Sequence, residues 1–169
     1  MKSQKNSKIV RLVKFLEGGD HKMSGEFLGA YENSVNKNRV IIPAPFKKVF
    51  SADAKETVVI TMGYDKSNIA VYPKDVWNAK IEKLINGTPK DRNLCVILRR
   101  NSAEETLEGP GRIKISSYLL ASAGITDSVV VLGEGNYITL WNPETLNEQR
   151  QKDLEVLRTN YTILDYELW

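Results

Sequence analysis

The sequence predicts an α+β fold in which two copies of one strand-rich unit, each with short helices, interleave as hairpins to close one small barrel. The first observation behind this is a repeat. Residues 32–73 and 105–143 carry the same order of signals: a short strand, a polar turn ending in arginine, an apolar hook, an amphipathic stretch and a hairpin. The second is a nearly constant offset between matched positions, 73 at Arg39 and Arg112, 70 at Gly63 and Gly133, and 69 at Tyr72 and Trp141. Drift of that size follows from differences in loop length, so the repeat is structural. Two copies make a pseudo-two-fold object, which suits an extended or repeated target better than a single catalytic cleft.

Each element has its own justification. Phe27 to Glu32 reads as a strand, Asn33 to Asn38 as a turn, and Arg39 to Ile42 as the next strand. Pro43 and Pro45 end that strand and pre-set a short helix, Ala44 to Phe50, that buries Phe46 and Val49. Val58 to Met62 is a β-branched apolar run, returned by Gly63 to Ser67 into Asn68 to Tyr72. Pro73 opens a helix with Val76, Trp77, Ile81 and Leu84 at helical spacing, and Asn86-Gly87-Thr88-Pro89 stops it. Pro89 to Arg100 predicts a bridging helix. The second copy then gives strands at Glu105 to Glu108 and Arg112 to Ile115, a helix at Ser117 to Ala123, a hairpin across Glu134-Gly135-Asn136, and a helix from Pro143. The expected organisation is a basic extension over 1–24, a first module with its trailing helix over 25–88, a second module with the bridging helix over 89–150, and a helical tail over 151–169.

Composition narrows the function. No apolar run approaches the ~20 residues that span a bilayer. The apolar part of the N-terminal stretch is interrupted by Arg11 and Lys14, which argues against a secretory signal. A lone Cys95 excludes an internal disulfide and fits a reducing cytosol. The sole histidine, His21, lies in the N-terminal extension, so histidine catalysis and histidine metal sites have no members, and neither a cofactor nor a metal is expected. Gly109-Pro110-Gly111 and Gly133-Glu134-Gly135 lack the remainder of a phosphate loop and read as hairpin turns. Glu104 and Glu105 read as a solvated strand edge. An enzyme is therefore not expected. The net charge of +3 resides in the first 22 residues, which alone carry +4, so polyanion binding by the rest depends on local clusters. Those clusters are Lys37 with Arg39, Lys47 with Lys48, Arg99 with Arg100, and Arg112 with Lys114. The extension is either a basic arm that adds phosphate contacts or a segment without function ahead of Met23. Tyr72 and Trp141, at equivalent strand ends, fit core or edge packing more readily than base stacking.

Phe27-Leu28-Gly29, Lys37-Asn38-Arg39-Val40-x-Ile42-Pro43 and Leu107-Glu108-Gly109-Pro110-Gly111-Arg112 together resemble the MraZ family. The resemblance runs from about Glu26 to beyond Trp141 and includes Val129-Val130-Val131-Leu132-Gly133. It implies two tandem AbrB-like swapped-hairpin half-barrels forming a pseudo-two-fold small β-barrel with flanking helices. It further implies a bacterial transcription factor that represses the division and cell-wall gene cluster by binding short direct repeats in promoter DNA, assembled as a ring. A cytoplasmic, nucleoid-associated, membrane-free protein follows.

The family signature of Asp, three residues, then Arg is met in copy two by Glu108 and Arg112. In copy one Arg39 is present, but an ungapped count puts Val35 at the acidic position, whereas a turn one residue shorter puts Asn36 there. The expected DNA-contacting residues are Lys37, Asn38, Arg39, Arg112 and Lys114, with Asn36 and Glu108 orienting the loops. Independently of the resemblance, an exposed turn with asparagine or glycine lets the backbone approach DNA, and a guanidinium forks onto guanine or phosphate. The competing reading is a ring-forming interaction scaffold without DNA reading, favoured by the missing acid of copy one and the slightly negative charge of the chain beyond its first 22 residues.

Overall fold

The computed structural model describes residues 23–65 and 67–161. The basic extension over 1–22 and the apolar end over 162–169 lie outside them. Chain order is β1 (Ala30–Ser34), β2 (Arg39–Ile41), α1 (Ala44–Lys47), a 3-10 turn at Ala52–Ala54, β3 (Thr57–Met62), β4 (Asn68–Pro73), α2 (Lys74–Ile85) and α3 (Pro89–Arg100). Then follow β5 (Ser102–Thr106), β6 (Arg112–Lys114), α4 (Ser117–Ser122), β7 (Ser128–Gly133), β8 (Ile138–Trp141) and α5 (Pro143–Asn160). The fold is α+β with antiparallel strands and five α-helices among the described residues.

Six strands form one sheet in the order β1-β7-β8-β4-β3-β5, and β2 with β6 forms a separate ribbon. Exchanging the copies (β1 with β5, β2 with β6, β3 with β7, β4 with β8) reads the same order backwards. The first strand of each copy therefore pairs with the hairpin of the other: β1 lies on β7 from Ala30 opposite Leu132 to Ser34 opposite Ser128, and β5 lies on β3. The expected closed barrel does not form among the described residues, because β1 and β5 are opposite edges of the sheet. The ribbon strands cannot extend to close it. One residue past β2 the Ile42 amide still pairs with the Gly111 carbonyl, but Pro43 then has no donor to offer, and Ser116, whose side chain accepts from the Leu119 amide, starts α4 after β6.

Alternation along the strands divides the core into layers. Val58, Ile60, Ile69, Val71, Val129, Val131, Ile138 and Leu140 point to one face, where they pack with Val40 of β2 and Ile42 just after it, Ile113 of β6 and Ile115 just after it, together with Phe27, Phe46 and Leu119. Each such side chain contributes about 1.5–3 kcal/mol on burial, so the ribbon is anchored through its inner face. On the other face Val59 packs with Trp77 and Ile81 of α2 and Cys95 of α3, and Val130 and Trp141 pack with Leu146 of α5. The bridging helix thus shares a layer with the first copy's hairpin. The expected boundary at 150 falls inside α5.

Several element ends differ from the sequence reading for local reasons. Strand β1 begins at Ala30 and not Phe27, since Gly29 adopts φ +96° and Phe27 instead makes an isolated two-way bridge with Gly135. Strand β5 begins at Ser102 and not Glu105, because it pairs with β3 from Thr61 onward, and Ser102 Oγ donates to the Leu98 carbonyl at the end of α3 (2.5 Å). Helix α1 stops at Lys47, after which the Val49 N–H closes a tighter turn onto the Phe46 carbonyl. Strand β5 is an edge, as read from Glu104 and Glu105, and Glu104 pairs with Lys74.

Candidate nucleic-acid interface

The two arginine turns are built differently and held alike. In copy one, Asn36 and Arg39 exchange both backbone hydrogen bonds (3.1 and 2.9 Å) around Lys37 and Asn38, whose φ values are +50° and +59°. That is the two-residue hairpin with both central residues left-handed, which asparagine tolerates better than most residues. In copy two, Glu108 and Arg112 exchange the equivalent bonds (2.8 Å each) around Gly109-Pro110-Gly111. Gly111 is required there, with φ +107° and no room for a Cβ beside Lys47.

Asn36, not Val35, is therefore the counterpart of Glu108. Val35 matches Leu107: both are partly buried against the main core, and their amides donate to the carbonyls of Asp127 and Glu56 respectively. The shorter-turn alignment holds, and the ungapped one is corrected.

Each turn is stitched to the opposite copy. The carbonyl of Asn38 accepts from the Ile115 amide (2.8 Å), and that of Gly111 accepts from the Ile42 amide (2.9 Å). Asn38 Nδ2 also donates to Ser117 Oγ at the start of α4 (2.8 Å). Lys47 Nζ, from α1, donates to the Pro110 carbonyl (2.6 Å). Lys47 and Ser117 are additions to the residues that the sequence places at this surface. The basic pair Lys47-Lys48 was a visible signal for the first, and no sequence signal marks the second.

Between the turns the ribbon places Arg39 opposite Lys114 and Ile41 opposite Arg112. Val40 and Ile113 face the core, so these four side chains share the outer face. Like charges directly opposite each other on a strand pair are destabilising unless an anion lies over them. The acid beside this face among the described residues is Glu108, whose carboxylate lies 3.7 Å from Arg39 Nε. The sequence reading set Glu108 to orient the arginine of its own turn; the ion pair instead runs to the other copy. Arg39 Nη1 also donates to the Lys37 carbonyl (3.4 Å). Of the expected residues, Arg39, Arg112 and Lys114 are thus brought onto one surface, with Lys37, Asn38, Asn36 and Glu108 in the turns that flank it. Arg99 and Arg100 lie apart, at the end of α3.

Tyr72 and Trp141 face away from this surface. Tyr72 stacks on Tyr137 (ring centroids 4.8 Å apart), and burial followed by the neighbouring Tyr137 pushes its hydroxyl up to about 12. Trp141 is buried, its Nε1 donating to Thr139 Oγ1 (2.7 Å). Both are packing residues.

No family model matches the chain. It is 36% identical over 122 residues to the transcriptional regulator MraZ of Herpetosiphon aurantiacus, covering 70% of this chain and 82% of that protein. The MraZ of Rhodospirillum rubrum is 32% identical over 134 residues (73% and 84%), and that of a Roseiflexus species 33% over 121 residues (69% and 81%). The chain belongs to the MraZ family. As a MraZ-family protein it carries an acid in the second turn and an amide in the first, and its cationic ribbon face is the surface on which the arginines of both turns meet. No helix among the described residues is long and apolar enough to cross a membrane.

Proposed function

We propose that this MraZ-family chain is a sequence-specific DNA-binding transcription regulator that reads duplex DNA with the outer face of the β2–β6 ribbon and the two turns beside it. The observation that carries the reading is the shared exposed face of Arg39, Arg112 and Lys114, three cations answered by the carboxylate of Glu108 among the described residues. A two-stranded ribbon fits the major groove, where a guanidinium forks onto guanine O6 and N7. Lys37 and Asn38, at the tip of the first turn, approach the backbone phosphates. The pseudo-two-fold order of the strands supports a reading as two tandem AbrB-like swapped-hairpin modules, and the target is taken as short direct repeats in the promoter of a division and cell-wall gene cluster, bound as a repressor in the nucleoid.

Direct repeats call for several reading faces side by side, supplied by a homo-oligomeric ring. Helix α5 supports this: beyond Leu146 its second half is exposed, including Leu154 and Leu157 one turn apart, while α3 exposes Leu94 and Ile97. Head-to-tail packing of one face on the other is a heterologous contact that closes into a ring. Leu157→Asp should lower the assembly state in light scattering; an unchanged mass would remove α5 from the interface.

The deciding measurement is binding to DNA from upstream of the gene, followed by fluorescence anisotropy over a salt series. Arg39→Ala and Arg112→Ala should each weaken specific binding by about 1–3 kcal/mol per contact, and wild-type affinity in both would refute the reading. Assembly without any specific DNA binding would favour the scaffold.

A further inference from the structure

The ribbon's outer face holds one residue that the charge argument leaves unused. Ile41 is 43% exposed and stands directly opposite Arg112, on a face whose other three members are cations. Its strand neighbours Val40 and Ile42 are fully buried on the inner side, so Ile41 adds nothing to the core. Under the pseudo-two-fold its counterpart is Lys114, and the two copies diverge here from cation to branched hydrocarbon. The position is also well held. The Ile41 carbonyl accepts from Asn33 Nδ2 (2.7 Å), and the next amide, Ile42, is bound to Gly111, so the side chain projects from a fixed backbone.

Building on the DNA-binding reading above, we infer that Ile41 is a specificity-determining contact for the 5-methyl group of a thymine beside the guanine read by Arg112. Among the base edges of the major groove, thymine alone presents a methyl, and apolar side chains are its natural partners. Side chains directly opposite on an antiparallel pair lie about 4.5–5.5 Å apart, while successive bases rise about 3.4 Å. A guanidinium and its cross-strand neighbour therefore fall on the same or adjacent base steps. An isoleucine amid cations gains nothing from phosphate, but within the groove it excludes water against a methyl. The first copy then supplies composition-sensitive reading where the second supplies Lys114 and charge.

The test uses the full chain and target duplexes carrying single substitutions. Replacing guanine with 7-deazaguanine, position by position, locates the contact of Arg112 as the site whose effect vanishes in Arg112→Ala. Replacing thymines with deoxyuridine deletes one methyl at a time. At a thymine beside that guanine, deoxyuridine should weaken wild-type binding about fourfold, the effect of one buried methyl-sized group, and leave Ile41→Ala unaffected. Ile41→Lys, which makes the copies alike, should lose the same methyl dependence and steepen the salt dependence. Specific binding by the wild-type chain with no sensitive thymine, or equal sensitivity in Ile41→Ala, overturns the role of Ile41 and leaves the DNA-binding proposal standing. Absence of specific binding overturns both.

Discussion

Glu108 shows how much depends on which copy a side chain reaches. Its backbone belongs to the turn of Arg112, yet its carboxylate lies against Arg39, so the acid tethers the guanidinium of the module whose own arginine turn carries no acid. Both side chains are substantially exposed and the separation is long, which limits the pair's effect on stability to about 0.5 kcal/mol. The consequence is coupling, not stability. Glu108→Gln and Arg39→Ala should be non-additive in DNA affinity, whereas Glu108→Gln and Arg112→Ala should add. A double-mutant cycle measured by anisotropy decides this, and additivity in both cycles would show that the ion pair has no role in positioning Arg39.

Among the elements, the start of α2 is where a single charge organises most. Asp75 accepts from the Ser24 amide (2.7 Å) and Ser51 Oγ (2.6 Å), joining the N-terminal approach, the 3-10 turn and the helix. Burial pushes its carboxyl up, but hydrogen bonds from Ser51, Ser24 and Val76 outweigh that and hold it below the ordinary value of 3.8. A folded-state value below the unfolded one means stability that is present above about pH 4 and lost as pH falls through the depressed value. Asp75→Asn should cost about 1–3 kcal/mol at pH 7 and show a shallower loss between pH 4 and pH 2 in urea titrations. Identical acid sensitivity in the two proteins would remove Asp75 from the acid response. The strand runs and the Thr88 stop were legible because β-branched residues and capping side chains act over a few residues; Thr88 and Asp91 do form the reciprocal cap. The counterpart of Glu108 was legible only as a choice between Val35 and Asn36, since one residue gained or lost in a turn shifts every count, and the paired hydrogen bonds at Asn36 and Arg39 decide it. The 3-10 turn at Ala52–Ala54 also escaped, its cap being a single serine, Ser51.

At the scale of the molecule, the repeat was legible, but which strand pairs with which rests on contacts far apart in the chain. Expectation and structure agree on an α+β fold with antiparallel strands, and the structure sets the two hairpins side by side with the first strand of each copy on the other's hairpin; they part at closure, since β1 and β5 are opposite edges of the sheet. Since each copy completes the other's sheet, the chain cut between residues 87 and 88 should give two fragments without cooperative unfolding alone, and a native-like unfolding transition when co-refolded. Cooperative unfolding of either fragment by itself would contradict the pairing seen here.

The same pairing sets a schedule for synthesis. Ala30 meets Leu132 only when roughly a hundred further residues have been made, about 5–20 s at ordinary ribosomal speeds. Throughout that interval β1 lacks its partner β7, and once the hairpin β3–β4 has been made, β3 waits for β5 and β4 for β8. The nascent chain therefore passes through a stage with exposed strand edges and an uncovered apolar face, when a trigger-factor-like holdase has most to protect. Slowing elongation before residue 128 should raise the insoluble fraction of newly made chain, and an unchanged fraction would contradict this schedule.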